Sequence, residues 1–256
     1  MQKTKIEWAD MTWNPVTGCL NECPFCYAKK IAERFGGHGN TMLQYESEYS
    51  DKGLKEQDSP LTVIRRGNKE VVAPFPYMFA PTFHKYRLDQ PQKIRNPQRI
   101  FVVSMGDLFG WWVPDEWIIQ VFDACKAAPQ HRYMFLTKFP ERYVVLAQKK
   151  LIPILDNFWY GQSKSEGNVF SQYGSYHQFL SAEPLFGEVN PCGFELVILG
   201  AETGNRKEKK LPDPEEVSAS VLNSFYNNAK VFMKDSLVQI VGEERMFRQM
   251  PKGLQL

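Results

Sequence analysis

Residues 99–105, RIFVVSM, are a short apolar run bounded by Pro97 and Gly106. The run is continuous, not alternating, so it reads as a strand buried on both faces, as in a parallel sheet covered by helices. Working downstream, a helix is predicted from about Asp115 to Ala128, with Pro114 at its start and acids in its first turn. RYMFLTK (132–138) is the next strand, and Pro140 opens a helix over ERYVVLAQKK (141–150). NFWYGQS (157–163), HQFLSAEP (177–184) and ELVILGAE (195–202) read as further strands. Asp213-Pro214-Glu215-Glu216 caps a helix to about Asn228, and KVFMKD (230–235) closes the series. Strand, helix and strand in alternation imply parallel strands joined by crossovers.

Upstream, TWNPVTG (12–18) reads as a first strand and YAKKIAERFG (27–36) as a helix with Gly36-Gly37 as its stop. That gives six or seven strands, short of the eight in a closed barrel. The expected fold is α/β: a partial, open TIM-like (β/α)6-7 barrel, one domain over 1–256, with a divergent segment at about 36–98 inserted after the first helix. Its first part is acidic on balance, with Glu46, Glu48, Asp51, Glu56 and Asp58, and Pro74 and Pro76 argue against a central strand at 71–79.

The chain's formal charge of +2 implies no global field toward nucleic acid or membrane. No apolar run is long enough to span a bilayer and the first residues lack a signal peptide's apolar centre, so a reducing, cytoplasmic setting without membrane attachment is expected. Five cysteines, an odd number, fit that setting. Cys125 and Cys192 read as ordinary core and turn residues.

The other three sit in GCLNECPFCYA (18–28), where Cys19, Cys23 and Cys26 form a C-x3-C-x2-C run with Phe25 before the last. Three thiolates on one loop can hold three irons of a 4Fe-4S cluster and leave the fourth iron open. The alternative is a Cys3His zinc site completed by His38. Polar residues also stand at nearly every strand end: Ser104 and Asp107, Thr137 and Lys138, Ser163, Glu183, Glu202 and Lys234. In barrels the chemistry sits at those ends, so a shared pocket is expected. Lys138, Glu183, Glu202 and Lys234 are candidates for substrate binding or proton transfer, against the alternative of structural ion pairs. Lys85, Arg87, Lys93, Arg95 and Arg99 face one acid, Asp89, with Phe83 and Tyr86 interleaved. The segment reads as a phosphate or nucleic-acid surface or as a solvated face. Trp111 and Trp112 read as stacking surfaces or as packing against the following helix.

The cysteine spacing with its aromatic resembles the signature of radical S-adenosylmethionine (SAM) enzymes. WNPVTGC, FVVSMGDLF, FLTKFPERY, YGQS, LSAEPLFGEV and VILGAETG run in the order seen in a phage-associated, three-cysteine family of unknown function that itself resembles those enzymes. Phe139 departs from that family's usual Arg. The resemblance implies a 4Fe-4S cluster on Cys19, Cys23 and Cys26 whose open iron chelates S-adenosylmethionine, and an electron that splits SAM into methionine and a 5'-deoxyadenosyl radical. It implies that Phe25 and Tyr27 flank the adenine, that Ser104, Gly106 and Asp107 hold the methionyl amino group, that Ser163 reaches the ribose or carboxylate, and that Gly200 lets the adenine approach. It also implies an external electron donor of flavodoxin or ferredoxin type and, for a phage-encoded chain, the host cytoplasm. The substrate expected is a nucleotide or a DNA or RNA base. A peptide or small metabolite, and a non-catalytic zinc-dependent nucleic-acid-binding module, stand as alternatives.

Overall fold

The computed structural model describes residues 1–36, 53–65, 68–171, 176–204 and 207–256. His38, and with it the proposed fourth zinc ligand, lies outside the described residues, as do Glu46, Glu48 and Asp51. The main sheet has eight strands: β1 (Gln2–Lys3), β2 (Met11–Trp13), β3 (Arg99–Val102), β4 (Arg132–Thr137), β5 (Phe158–Ser163), β6 (His177–Ala182), β7 (Leu196–Leu199) and β8 (Lys230–Met233). They lie side by side in sequence order. β1 pairs with β2 antiparallel, and every later pairing is parallel. The molecule is therefore mixed α/β with a large, mostly parallel sheet.

Both faces of the strands are buried, which is why they read as continuous apolar runs. On one face Ile100, Val102, Tyr133, Phe135, Phe158 and Tyr160 pack under α2 (Asp115–Lys126) and α3 (Glu141–Gln148) through Trp117, Ile118, Phe122, Tyr143 and Leu146. Further along that face, Leu180, Ala182, Val197, Leu199, Val231 and Met233 pack under α4 (Pro214–Tyr226). The cap expected at Asp213 is present and takes the form of a capping box, with Glu216 at N3. On the other face Phe101, Met134, Trp159, Phe179, Ile198 and Phe232 gather around Trp8, Ala9 and Leu254, and among the described residues no α-helix side chain joins them.

One expectation needs correcting. TWNPVTG is not one strand. β2 ends at Trp13, whose carbonyl accepts from Val103 N, and after Pro15 the pair Val16–Thr17 leaves the sheet to bond antiparallel with Thr82–Phe83. Proline has no N–H for a ladder, so a central strand breaks there. The described part of the inserted segment also contributes short strands, none of them in the main sheet. Thr62–Arg65 and Lys69–Val72 form a hairpin, and Thr82–His84 bonds to Val16–Thr17 on one side and Lys55–Gln57 on the other.

His84 ties these three short strands together. Its Nδ1 lies 2.7 Å from Gln57 Oε1 and its Nε2 2.9 Å from Thr17 Oγ1. With Gln57 accepting, Nδ1 carries the proton and Nε2 accepts from the threonine hydroxyl. The ring is wholly buried, and burial, helped by the Arg87 charge, lowers its pKa from 6.5 to about 2. An unfolded histidine takes up a proton below its ordinary pKa while the folded one does not, so stability falls as pH drops below 6.5. His84 alone should cost about 2 kcal/mol between pH 6.5 and 4.5. Denaturant unfolding at the two pH values checks this: a His84→Gln variant should show a shallower loss than wild type, and an equal loss in both would refute the assignment.

Candidate functional site

The cysteine loop is fixed by its neighbours on both sides. Gly18 N donates to Met105 O at 2.8 Å, and Cys19 N donates to Phe79 O at 3.2 Å, so the loop is held between the end of β3 and the inserted segment. Gly18 has φ +84°, and a Cβ there would lie 2.3 Å from Ala80 O. Gly18→Ala is therefore expected to cost about 2 kcal/mol or more, from the left-handed backbone and the clash together. A thermal unfolding midpoint unchanged from wild type would show that the loop is not seated this way.

Short turns order the thiols. Cys23 N donates to Asn21 O and Cys26 N to Cys23 O, and Cys26 is the N-cap of α1 (Tyr27–Phe35), its Sγ accepting from Lys29 N at 3.4 Å. Cys19 Sγ accepts from Asn21 N at 3.3 Å. Tyr27 at the head of α1 donates its hydroxyl to Ser104 O at 2.7 Å, which fastens the helix to the end of β3. Burial pushes the Cys19 thiol up to about 12 and raises Cys23, the latter against the pull of the Lys138 charge. Thiols in such surroundings stay protonated unless a cation binds them.

All three cysteines line one cavity of about 360 Å³. Its other walls are the C-terminal ends of consecutive strands: Ser104, Gly106 and Asp107 after β3, Lys138 after β4, Ser163 on β5, Glu183 after β6, Glu202 after β7 and Lys234 after β8. Phe25 and Tyr27 line it too. Gly200, the remaining candidate, does not. It lies beneath the side chains of Lys234 and Glu183, where a Cβ would meet Lys234 Cδ at 3.1 Å and Glu183 Cγ at 3.3 Å. Its bareness makes room for that ion pair.

The cavity's charges are engaged. Asp107 Oδ1 accepts from Thr137 Oγ1 at 2.7 Å and Phe109 N at 3.0 Å, and Oδ2 from Lys138 N at 3.0 Å. Burial raises its pKa, opposed by those three bonds. Lys138 Nζ donates to Ser163 Oγ at 3.0 Å and stands 5.6 Å above the Phe25 ring. Lys234 pairs with Glu183. Sequence reasoning missed Asn14, whose Oδ1 accepts from Ser104 Oγ and Met105 N and so shapes the β3 end. It also missed Trp8 and Phe101, which form an aromatic floor with Ile6 and Leu136. The break at Pro15 was the available signal for Asn14. Nothing local marked Trp8.

The basic segment is used internally. Lys85 pairs with Glu56 at 2.6 Å and Asp58 at 3.5 Å, Lys93 with Asp89, and Arg99 with Asp10 at 2.8 Å. Arg87 donates to Asn14 O and Pro74 O. Arg95 remains exposed, and none of these cations lines the cavity. Trp111 lies under Arg142 at 5.4 Å and Trp112 meets Phe139 edge-on at 5.5 Å. Both tryptophans therefore pack against the start of α3 and the turn before it, and Phe139 has a structural use.

Residues 3–217 match the model of a family described as "Protein of unknown function (DUF5131)". The chain belongs to that family. No curated protein and no solved structure matches this DUF5131 chain. Among its described residues, no three His, Cys, Asp or Glu side chains are grouped so as to hold a metal ion, and no helix is long and apolar enough to cross a membrane. A single zinc needs all its ligands within about 2.3 Å of one point. A 4Fe-4S cluster would instead take one thiolate on each of three irons, and Cys19, Cys23 and Cys26 all line one cavity.

Proposed function

We propose that this DUF5131 protein is a radical SAM enzyme on a partial, TIM-like parallel barrel. The observation that carries the reading is that Cys19, Cys23 and Cys26 line the same cavity as the C-terminal ends of β3 to β8. The sequential parallel order supports the barrel. So does the reach of Trp8, whose ring centroid lies 4.7 Å from Phe101 on β3 and 6.0 Å from Phe179 on β6. In a flat sheet strands three apart are about 14 Å distant, so one indole touching both argues that the sheet curls. The margins also approach: Glu7, between β1 and β2, accepts from Asp235 N beyond β8 and pairs with Arg248.

Cys19, Cys23 and Cys26 would hold the cluster, which together with SAM would supply one-electron, hydrogen-abstracting chemistry. The chain's own residues bind, orient and exclude water. Asp107 joins the β3 end to the β4 end and keeps lone pairs facing the cavity for a cationic amine. Lys138 and Ser163, bonded to each other, offer a cation and a hydroxyl to a carboxylate or ribose. Tyr27 roofs Ser104 and gives the adenine an aromatic edge. Glu183, Lys234 and Glu202 lie toward the far strands and face the substrate, for which a nucleotide or nucleic-acid base is the proposed class. An external one-electron donor protein completes the system.

Anaerobic reconstitution with iron and sulfide tests the reading. About four irons and four sulfides per chain and a brown, oxygen-sensitive product are expected. A colourless protein that takes up one zinc instead would overturn it.

A further inference from the structure

Glu183 and Lys234 both line the cavity and pair with each other there. Their side chains are 25% and 13% exposed, and they meet across the bare backbone of Gly200, one after β6 and the other after β8. An ion pair withdrawn from water gains little net stability, because desolvation offsets the attraction. It serves better as a recognition element. After pairing, an ammonium keeps two N–H donors and a carboxylate keeps free lone pairs. The pair therefore presents a donor beside an acceptor. The same cavity has an aromatic floor of Trp8 and Phe101, with ring centroids 4.7 Å apart, and is also lined by Ile6 and Leu136. The two rings are tilted by 50° to each other, so a planar ring stacks on one of them and meets the edge of the other, and such stacking accepts any π face.

We infer that the Glu183–Lys234 pair reads the hydrogen-bonding edge of a nucleobase lodged on the Trp8–Phe101 floor. An acceptor on the base meets Lys234, and the neighbouring ring or exocyclic N–H meets Glu183. What is then done to the base rests on the radical SAM reading, but its binding does not. Recognition falls on the base and not on its phosphates, because Lys85, Arg87, Lys93 and Arg99 are bonded within the fold and none of them lines the cavity. The same ring chemistry is offered by a free nucleoside and by an unpaired base in a strand.

The test is calorimetric titration of the full chain, both as isolated and after anaerobic cluster reconstitution. The ligands are the four common ribonucleosides and, as a second arm, a short single-stranded oligonucleotide of mixed sequence. Saturable binding is expected in at least one arm, and the arm that saturates identifies the source of the base. Lys234→Met and Glu183→Gln should each weaken that binding at least tenfold, while Lys234→Arg, which keeps a donor, should retain most of it. Circular dichroism of each variant establishes that it is folded. No saturation in either arm, or equal affinity in folded Lys234→Met and Glu183→Gln, overturns the inference. Binding by protein that takes up no cluster would sustain this site and sink the radical reading. A normal cluster with no binding would do the reverse.

Discussion

Cys23→Ala protein should reconstitute with less than about a tenth of the iron and sulfide of wild type, because in the proposed site three thiolates would supply every protein ligand of the cluster and no neighbouring thiol could replace one. Among the described residues the other cysteines are remote from this role: Cys125 is buried on the core face of α2 and Cys192 is exposed at the end of a short strand. The loop itself should survive the change. It is held by Gly18 N to Met105 O, Cys19 N to Phe79 O and the Tyr27 hydroxyl to Ser104 O, none of which uses the Cys23 side chain. The thermal midpoint of the cluster-free protein should therefore shift little, and loss of iron with an unchanged midpoint distinguishes a missing ligand from a misfolded loop. Iron and sulfide retained at wild-type levels would remove Cys23 from the cluster.

Asp107→Ala should destabilise the protein by about 3 kcal/mol, since it strands three donors that are buried or partly buried, each costing roughly 1 kcal/mol or more when unpaired. Those donors are Thr137 Oγ1, Phe109 N and Lys138 N. For a chain of this size that is a fall in melting temperature of roughly 6 °C or more. Asp107→Asn, which keeps one acceptor oxygen, should lose about half as much. A direct contribution to SAM affinity is therefore to be read from the asparagine variant, at a temperature where both proteins are folded. An alanine variant as stable as wild type would show that Asp107 does not join the β3 and β4 ends.

Much of this arrangement is written in local sequence. From RIFVVSM onward each strand of the main sheet shows as an apolar run, because both its faces are covered, and α2, α3 and α4 carry start signals, from Pro114 to Asp213. The half-exposed pair Gly167–Phe170 and Val189–Cys192, bonded to each other outside that sheet, gives no such run. The cavity was legible through one regularity: a polar residue at the end of nearly every strand, which parallel order must bring to one side. What escaped depends on partners far away in the chain. The charges of 84–99 are visible, but Glu56 and Asp10, which neutralise Lys85 and Arg99, are known as partners only once the inserted strands are placed. Gly200 shows the same limit. A glycine at a strand end signals a close approach, but not that Lys234 and Glu183 are what approaches. TWNPVTG misled because its apolar Trp13 and Val16 outweighed Pro15, and Trp8 carries no pattern at all.

The central claim is that the cavity at the strand ends binds cluster and SAM together for radical chemistry. It is tested most directly by reducing the reconstituted protein anaerobically with SAM and following 5'-deoxyadenosine by chromatography. The account expects 5'-deoxyadenosine and methionine in equal amounts, accumulating slowly without substrate and absent from the Cys23→Ala protein. A wild-type protein carrying a full 4Fe-4S cluster that yields no 5'-deoxyadenosine, or yields as much as the Cys23→Ala variant, would contradict it.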